Sequence, residues 1–511
     1  MRFAQSRSLL SRAGGLLVAA GCLLTPRAAS AQYTFQALTA PVGDGLTVDS
    51  KTEPYMLNNA GQVFGSALAP GPQRRPVLWT DGVPANLPIP AGGYYWNAEG
   101  GQQFLNDSGT VVTKLGIASN VPGGVLNSVL RWRNGVADFV PPTPPSQLSP
   151  PGCSSAYEQF YPMGLNNNGH VLILATDSAG GCPWMLWIWD GAGSASNHFQ
   201  EITPVNNGPM SCSPTYLIRF DGQHLNDADE IAIAFGPRDW NLCLGSLNAG
   251  ILLPDRTFAP RLALQPQSPL IGIGGINNHG QFIAFSGANN APDMQLWDGA
   301  AVKDLGPGVV PSLNDLGHVL STTRFSGGSP QLYKNGATTA VPLPTPADFP
   351  GLFLNLGTGF GGTTGINTSG QILMSLWFDA GAPGGPATYH PVLLTPTPPT
   401  VTLKVNGQHP NPQAVTTNGP MVLTLDISAS AFTAPLSWYW GLVINNQLAW
   451  VTASGVSATP APLLVASPVA IANAPLLNIT LPLHTTFTSL FILVGGGGSP
   501  ALFDYVTAVR P

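Results

Sequence analysis

Carboxylates, aromatic rings and one arginine are concentrated in the first half of this 511-residue chain. Glu53, the run Tyr94-Tyr95-Trp96 with Glu99 behind it, Tyr157 with Glu158 and Tyr161, Arg219 with Asp221, and Trp240 are the residues that could meet a ligand. Such a set suits a sugar or small polar molecule, with rings against its apolar faces and charged groups against its polar ones. Glu99 and Glu158 are the two carboxylates that an acid and base pair would require, provided their carboxyls stand about 5 to 9.5 Å apart, the range for glycoside chemistry. No catalytic residue is assigned beyond that pair. Each of these residues also has a bland reading, the rings as filler between structural units and the acids as solvated groups at a channel mouth. Gly-x-Ser-x-Gly, His-Glu-x-x-His, a phosphate loop and Cys-x-x-Cys are all missing, so the common hydrolase, zinc-protease, nucleotide and redox readings lack support. Asn226-Asp-Ala-Asp-Glu230 is too short of ligands for a calcium loop, and no metal or cofactor is expected.

Four cysteines sit in matching places. Cys153 lies 12 residues before Leu165 and Cys182 lies 17 after it, while Cys212 lies 13 before Leu225 and Cys243 lies 18 after it. Of the three possible pairings, this equivalence favours Cys153 with Cys182 and Cys212 with Cys243. Each bridge would close a loop of about thirty residues, worth about 3 to 4 kcal/mol in the chain-entropy account. Both staples fall on one face, which makes that face the expected place for a site on a rigid scaffold.

The elements that position these residues come from a repeat. Leu57-Asn-Asn-Ala-Gly-Gln-Val returns as Leu105-Asn-Asp-Ser-Gly-Thr-Val, Leu165-Asn-Asn-Asn-Gly-His-Val, Leu225-Asn-Asp-Ala-Asp-Glu-Ile, Ile276-Asn-Asn-His-Gly-Gln-Phe, Leu313-Asn-Asp-Leu-Gly-His-Val and Ile366-Asn-Thr-Ser-Gly-Gln-Ile. The starts are 48, 60, 60, 51, 37 and 53 residues apart, a spacing that suits a four-stranded propeller blade. Six of the seven carry Gly in the left-handed position of the turn; the fourth carries Asp229, which tolerates that conformation. His170 and His318 stand where other copies have Gln, which makes them turn neighbours rather than ligands. A second phrase follows each anchor, as in Leu78-Trp-Thr-Asp-Gly, Arg131-Trp-Arg-Asn-Gly, Ile188-Trp-Asp-Gly, Leu296-Trp-Asp-Gly and Leu332-Tyr-Lys-Asn-Gly, with a worn copy at Leu253-Pro-Asp-Arg. Asp-Gly or Asn-Gly between apolar strands predicts a type I′ hairpin. The seventh unit lacks a fourth strand, and Phe35-Gln-Ala-Leu near the other end matches the missing pattern, so it is expected to close the last blade.

Both phrases, in this order, resemble the bacterial extracellular HAF-repeat family over roughly residues 33 to 396. The resemblance implies a secreted, propeller-like protein and carries over no catalytic residue, since the matched positions are turn and core positions. Asp229, the missing hairpin in unit seven and the lack of a Pro-Glu-Pro sorting tail depart from the family pattern.

Residues 1 to 31 read as an export signal. Arg2, Arg7 and Arg12 precede an apolar run, and Ala29-Ser-Ala31 offers the small residues that signal peptidase needs. Val18-Ala-Ala-Gly-Cys22 is a looser lipoprotein alternative. The mature chain keeps 15 basic and 25 acidic residues, a balance against nucleic acid or an anionic membrane as partner, and no other stretch is apolar enough to span a bilayer as a helix. A secreted or periplasmic location follows. Gly and Pro together number 111, but the regular strand pattern outweighs the disorder that this composition could signal.

The repeat phrases stop near Pro396. Alternating strands such as Met421-Val-Leu-Thr-Leu-Asp-Ile and Thr488-Ser-Leu-Phe-Ile-Leu-Val then fit a small immunoglobulin-type β-sandwich over 397–511, in which Trp438, Trp440 and Trp450 either fill the core or expose an aromatic platform for glycans. The expected fold is all-β: a signal at 1–31, then a seven-bladed β-propeller at 32–396 whose N-terminal strand closes the last blade, then the sandwich. The expected role is a non-catalytic binding or scaffold protein that presents its disulfide-stapled loop face to a glycan, peptide or cell-envelope partner. The alternative is an extracellular polysaccharide hydrolase or lyase using the paired carboxylates.

Overall fold

The structure, a computed structural model, describes residues 33–511 apart from connecting segments, of which 95–102, 118–126, 141–158, 177–183, 191–198, 206–213, 218–222 and 238–246 bear on the site. The described residues contain strands and turns and no α-helix, so the chain is all-β. They fall into two compact units, Phe35–Thr395 and a second that contains Pro396–Pro511.

The first unit is built from antiparallel four-stranded sets. One set runs in the order Thr52–Leu57, Val63–Leu68, Arg74–Thr80, Val83–Asn86, and the sets beginning at Pro214–Leu217, Leu270–Ile276 and Val309–Leu313 have the same order. The sets around Gln103–Leu105 and Gln159–Leu165 share a sheet through one parallel pairing, Gln159 with Asn127. The last set places Tyr33–Ala37 beside Ala387–Pro396, so strands from opposite ends of this unit lie in one sheet.

Each anchor phrase forms the turn after the inner strand. The first Asn side chain accepts through Oδ1 from the backbone four residues on: Asn58 from Gln62 N (2.8 Å), Asn106 from Thr110 N (2.9 Å), Asn226 from Glu230 N (3.0 Å), and likewise in the other four copies. The left-handed position is taken by glycine at φ between 68° and 84° in six copies and by Asp229 at φ 58° in the fourth.

The hairpins follow the sequence in part. Asp81-Gly82, Asn134-Gly135 and Asn335-Gly336 all have positive φ at both residues, as type I′ requires. Asp298-Gly299 departs from the expected I′ turn. There Asp298 accepts from Ala300 N (2.9 Å) and Ala301 N (2.8 Å), a side-chain cap that replaces left-handed backbone at the first position. The worn copy turns on Arg256 at φ 70°. The third-strand Trp is structural: Trp79 is 1% exposed and donates to Thr39 O (2.8 Å), and Trp132, also 1% exposed, donates to Pro88 O (2.6 Å). Each indole thereby joins its own set to the chain segment that precedes its inner strand.

The second unit packs a three-stranded sheet (Thr400–Val405, Pro420–Ser428, Ile471–Thr480) and a larger sheet around one core that includes Leu403, Leu423, Trp438, Trp440, Phe487 and Phe491. Trp438 and Trp440 therefore fill the core and are not part of an exposed platform. The Trp440 indole donates to Ser489 Oγ (2.9 Å) within it.

Candidate functional site

The anchor asparagines do more than hold their own turns. Each Nδ2 donates to the backbone carbonyl of the next anchor: Asn58 to Asn106 (2.8 Å), Asn106 to Asn166 (3.1 Å), Asn166 to Asn226 (3.1 Å), Asn226 to Asn277 (3.3 Å), Asn277 to Asn314 (2.9 Å), Asn314 to Asn367 (2.8 Å), and Asn367 back to Asn58 (3.0 Å). The circuit closes after seven members, all of them buried. Glycine beside the anchor lets neighbours approach: a Cβ on Gly164 would stand 2.8 Å from Leu225 Cβ.

Inside this circuit lies a second one. Going round, the residues after the anchor asparagines are Asn59, Asp107, Asn167, Asp227, Asn278, Asp315 and Thr368, so amide and carboxylate alternate until the last copy. Carboxylate or amide oxygens accept the neighbouring backbone N–H, as in Asn59 N to Asp107 Oδ1 (2.8 Å), Asn167 N to Asp227 Oδ1 (2.7 Å) and Asn278 N to Asp315 Oδ1 (2.9 Å). The Asn amides then bridge carboxylates: Asn167 Nδ2 reaches Asp107 (3.1 Å) and Asp227 (3.0 Å), and Asn59 Nδ2 reaches Asp107 (3.1 Å) and, past Thr368, Asp315 (3.4 Å). An amide carries two donors and a carboxylate only acceptors, so alternation satisfies both. The seven phrases carry this alternation at their third residue, but a turn alone does not require it, so local sequence gives no sign of the inner ring.

One junction uses a different pair. Where three copies have Gln reaching toward the next turn's Gly, unit three has His170, and unit four has Asp229 in the Gly place. His170 Nδ1 lies 2.9 Å from Asp229 Oδ1, and Asn166 Nδ2 donates to the same oxygen (2.9 Å). His318 is buried beside Asn314 (3.4 Å), and burial, aided by the nearby Lys334 ammonium, pushes its pKa down to about 4. Both histidines are turn neighbours, as the sequence implied.

The opposite ends of the inner strands hold the predicted ligand residues that are described. Glu53 pairs with Arg74 and with Lys51 (2.9 Å), and Tyr55 shares a hydrogen bond with Ser66 Oγ (2.6 Å) beside them. Burial pulls the Glu53 carboxyl up, but hydrogen bonds and charge from Arg74 and Lys51 outweigh it and hold the pKa below the ordinary value. Burial pushes the Tyr55 phenol up. Tyr161 donates to Gln159 and lies under the Lys114 ammonium, 4.4 Å from ring centre. Glu53 and Tyr161 occupy the same position, four before the anchor, and Asp221 has that place in unit four. Tyr94 lies on Gly93–Tyr94, which pairs with Gly116 and Ile117. Tyr95, Trp96, Glu99, Tyr157, Glu158, Arg219, Asp221, Trp240 and Cys153, Cys182, Cys212 and Cys243 lie outside the described residues. Among the described residues, no group of three or more His, Cys, Asp or Glu is arranged to hold a metal, and no helix is long and apolar enough to cross a membrane.

No protein-family model matches the chain, and no curated relative does. Solved structures similar to it include the six-bladed β-propeller lectin of Aleuria aurantia (12% identity, 69% of this chain and 98% of that one, TM-score 0.29) and TolB from Acinetobacter baumannii (13% identity, 59% and 66%, TM-score 0.28). A puromycin-hydrolyzing peptidase of Mycobacterium tuberculosis is a third (11% identity, 66% of this chain, TM-score 0.36), of whose length the chain spans half. These likenesses are to β-propeller proteins at very low identity, and the chain's own sheets and turns carry the argument.

Proposed function

We propose that this is a secreted, non-catalytic binding or scaffold protein: a seven-bladed β-propeller of the HAF-repeat type, followed by an immunoglobulin-like sandwich and exported by residues 1–31. The closed circuit of seven asparagines supports the blade count, and two sheets around one core support the sandwich. The binding face is the one opposite the asparagine circuit, stapled by Cys153–Cys182 and Cys212–Cys243. The observation that carries this reading is the placement of Glu53 with Arg74, and of Tyr161 with Lys114, at the same level of the inner strands of units one and three, with the inner strand of unit two between them. A rigid frame tied at one end presents paired charge and an aromatic ring at the other, which suits a polar ligand such as a glycan, a peptide or a cell-envelope polymer. The test is a screen of the mature protein, disulfides intact, against glycans and cell-wall polymers, followed for retention and for released fragments. Retention without fragments, weakened by Tyr161→Ala, is the expected result. Released fragments would replace this reading with catalysis and make Glu99 and Glu158 the residues to change.

A further inference from the structure

We propose that the outward face of the larger C-terminal sheet is a platform for a neutral glycan chain, a site separate from the propeller face and independent of it. Alternation along each strand places Trp438, Trp440, Phe487 and Phe491 in the core and their neighbours outside. Register then lines up Phe503, Ile492 and Tyr439 in one outward row, and Tyr505, Leu490, Gly441 and Trp450 in the next. Phe503 is 64% exposed and Leu448, beside Val443 in the third row, is 48% exposed.

Gly441 gives the surface its shape. A Cβ there would stand 3.3 Å from Trp450 Cζ3, so the benzo edge of the indole lies over bare backbone. Tyr439 meets Trp450 edge to face, with centroids 6.2 Å apart and planes at 80°. These rings are thus held by the sheet before any ligand arrives. Thr488 and Thr507 add hydroxyls in the third row and share a hydrogen bond (3.0 Å), and Val443, Val494 and Val509 take further outward positions. Among its described residues none is charged, although the chain as a whole is acidic.

Electron-rich ring faces attract the polarised C–H faces of pyranose rings, and neighbouring hydroxyls can exchange hydrogen bonds with the sugar. A charge-free surface offers nothing to an anionic polymer. Four strands and three rows give a footprint of roughly 14 by 13 Å, about 200 Å². A stable protein partner or a second copy of this chain needs about 800 Å² on each side, so a short stretch of neutral saccharide is the better occupant.

Affinity electrophoresis of the full-length mature protein through gels containing mixed-linkage β-glucan, xylan, galactomannan or polygalacturonate tests this. At least one neutral gel should retard the protein, by the same amount after an about tenfold rise in salt. Phe503→Ser and the double variant Tyr505→Ala, Trp450→Ala should weaken that retardation about tenfold or more while cooperative melting persists. Phe503→Ser removes an exposed ring and so keeps the test valid should the double variant fail to fold. Retardation only by polygalacturonate, no retardation by any neutral gel, or retardation unchanged in Phe503→Ser and the double variant would each overturn the proposal. In the last case, loss with Tyr161→Ala instead would leave the propeller reading standing.

Discussion

Asn277→Ala should separate the two concentric circuits. The Asn277 side chain accepts from His279 N and Gln281 N (3.0 Å each) and donates to Asn314 O (2.9 Å) and Gln281 Oε1 (2.7 Å). It is 4% exposed; its bond to Asn314 O is fully buried and the other three are half-buried. Four bonds at about 1 kcal/mol each give a loss of about 4 kcal/mol. The Phe35–Thr395 unit has roughly 360 residues, and about 2.1 cal/mol/K per residue gives an unfolding entropy near 760 cal/mol/K, so Tm should fall by about 5 °C. Asn278, next in sequence, makes its bonds to Asp227 N (2.9 Å) and Asp315 Oδ2 (3.2 Å) in an exposed setting, and Asn278→Ala should lower Tm by only about 1 °C. Asn277→Asp keeps both acceptor bonds but sets a carboxylate against Asn314 O, so it should melt low at neutral pH and recover as acid restores a donor. Calorimetry of the full chain measures all three. Equal shifts for Asn277→Ala and Asn278→Ala would refute the idea that the buried circuit holds the ring.

Three further outcomes follow from the joints and ion pairs. His170→Gln with Asp229→Gly restores the common pattern at the odd junction, and a double-mutant cycle should show each single change costing more alone than in company, with a coupling of about 0.5 to 1 kcal/mol; additive effects would mean the pair is incidental. His318 has a folded pKa of about 4, below its unfolded value near 6.5, so its neutral form is favoured on folding and its contribution is complete above pH 6.5 and lost as pH falls toward 4. His318→Gln should therefore flatten the decline of Tm across that window relative to the parent, and an unchanged slope would contradict the burial argument. Glu53 is held low by Arg74 and Lys51, which gives stability present above the unfolded carboxylate pKa and lost below it; Glu53→Gln should melt lower at pH 7, with the gap to the parent closing in acid.

The repeat, its turns and the alternation of the C-terminal strands were legible because each is a local demand. A left-handed residue calls for Gly, Asn or Asp, and a half-buried strand calls for period two. The Asp298 cap escaped that logic, since Asp-Gly reads the same whether the Asp takes positive φ or bonds ahead to Ala300 and Ala301. Trp438 and Trp440 were ambiguous between core and platform because two residues on one face fix a period but not a direction; burial of Leu436 and Leu442 on the same side settled it. The asparagine circuit was hidden for another reason. Every bond in it joins residues 37 to 60 apart, or 309 apart at the closure, and no local pattern announces which carbonyl an amide will meet.

The sheet that joins Tyr33–Ala37 to Ala387–Pro396 also sets an order of events during synthesis. A chain that emerges from its amino end has the first of these strands long before the second, and some 350 residues must pass before they can meet. Until then the ring has two open edges, each a template for another chain. Folding of this unit is thus gated by its last strand, and a nascent chain halted before residue 387 would be held unsealed whatever the stability of its finished blades.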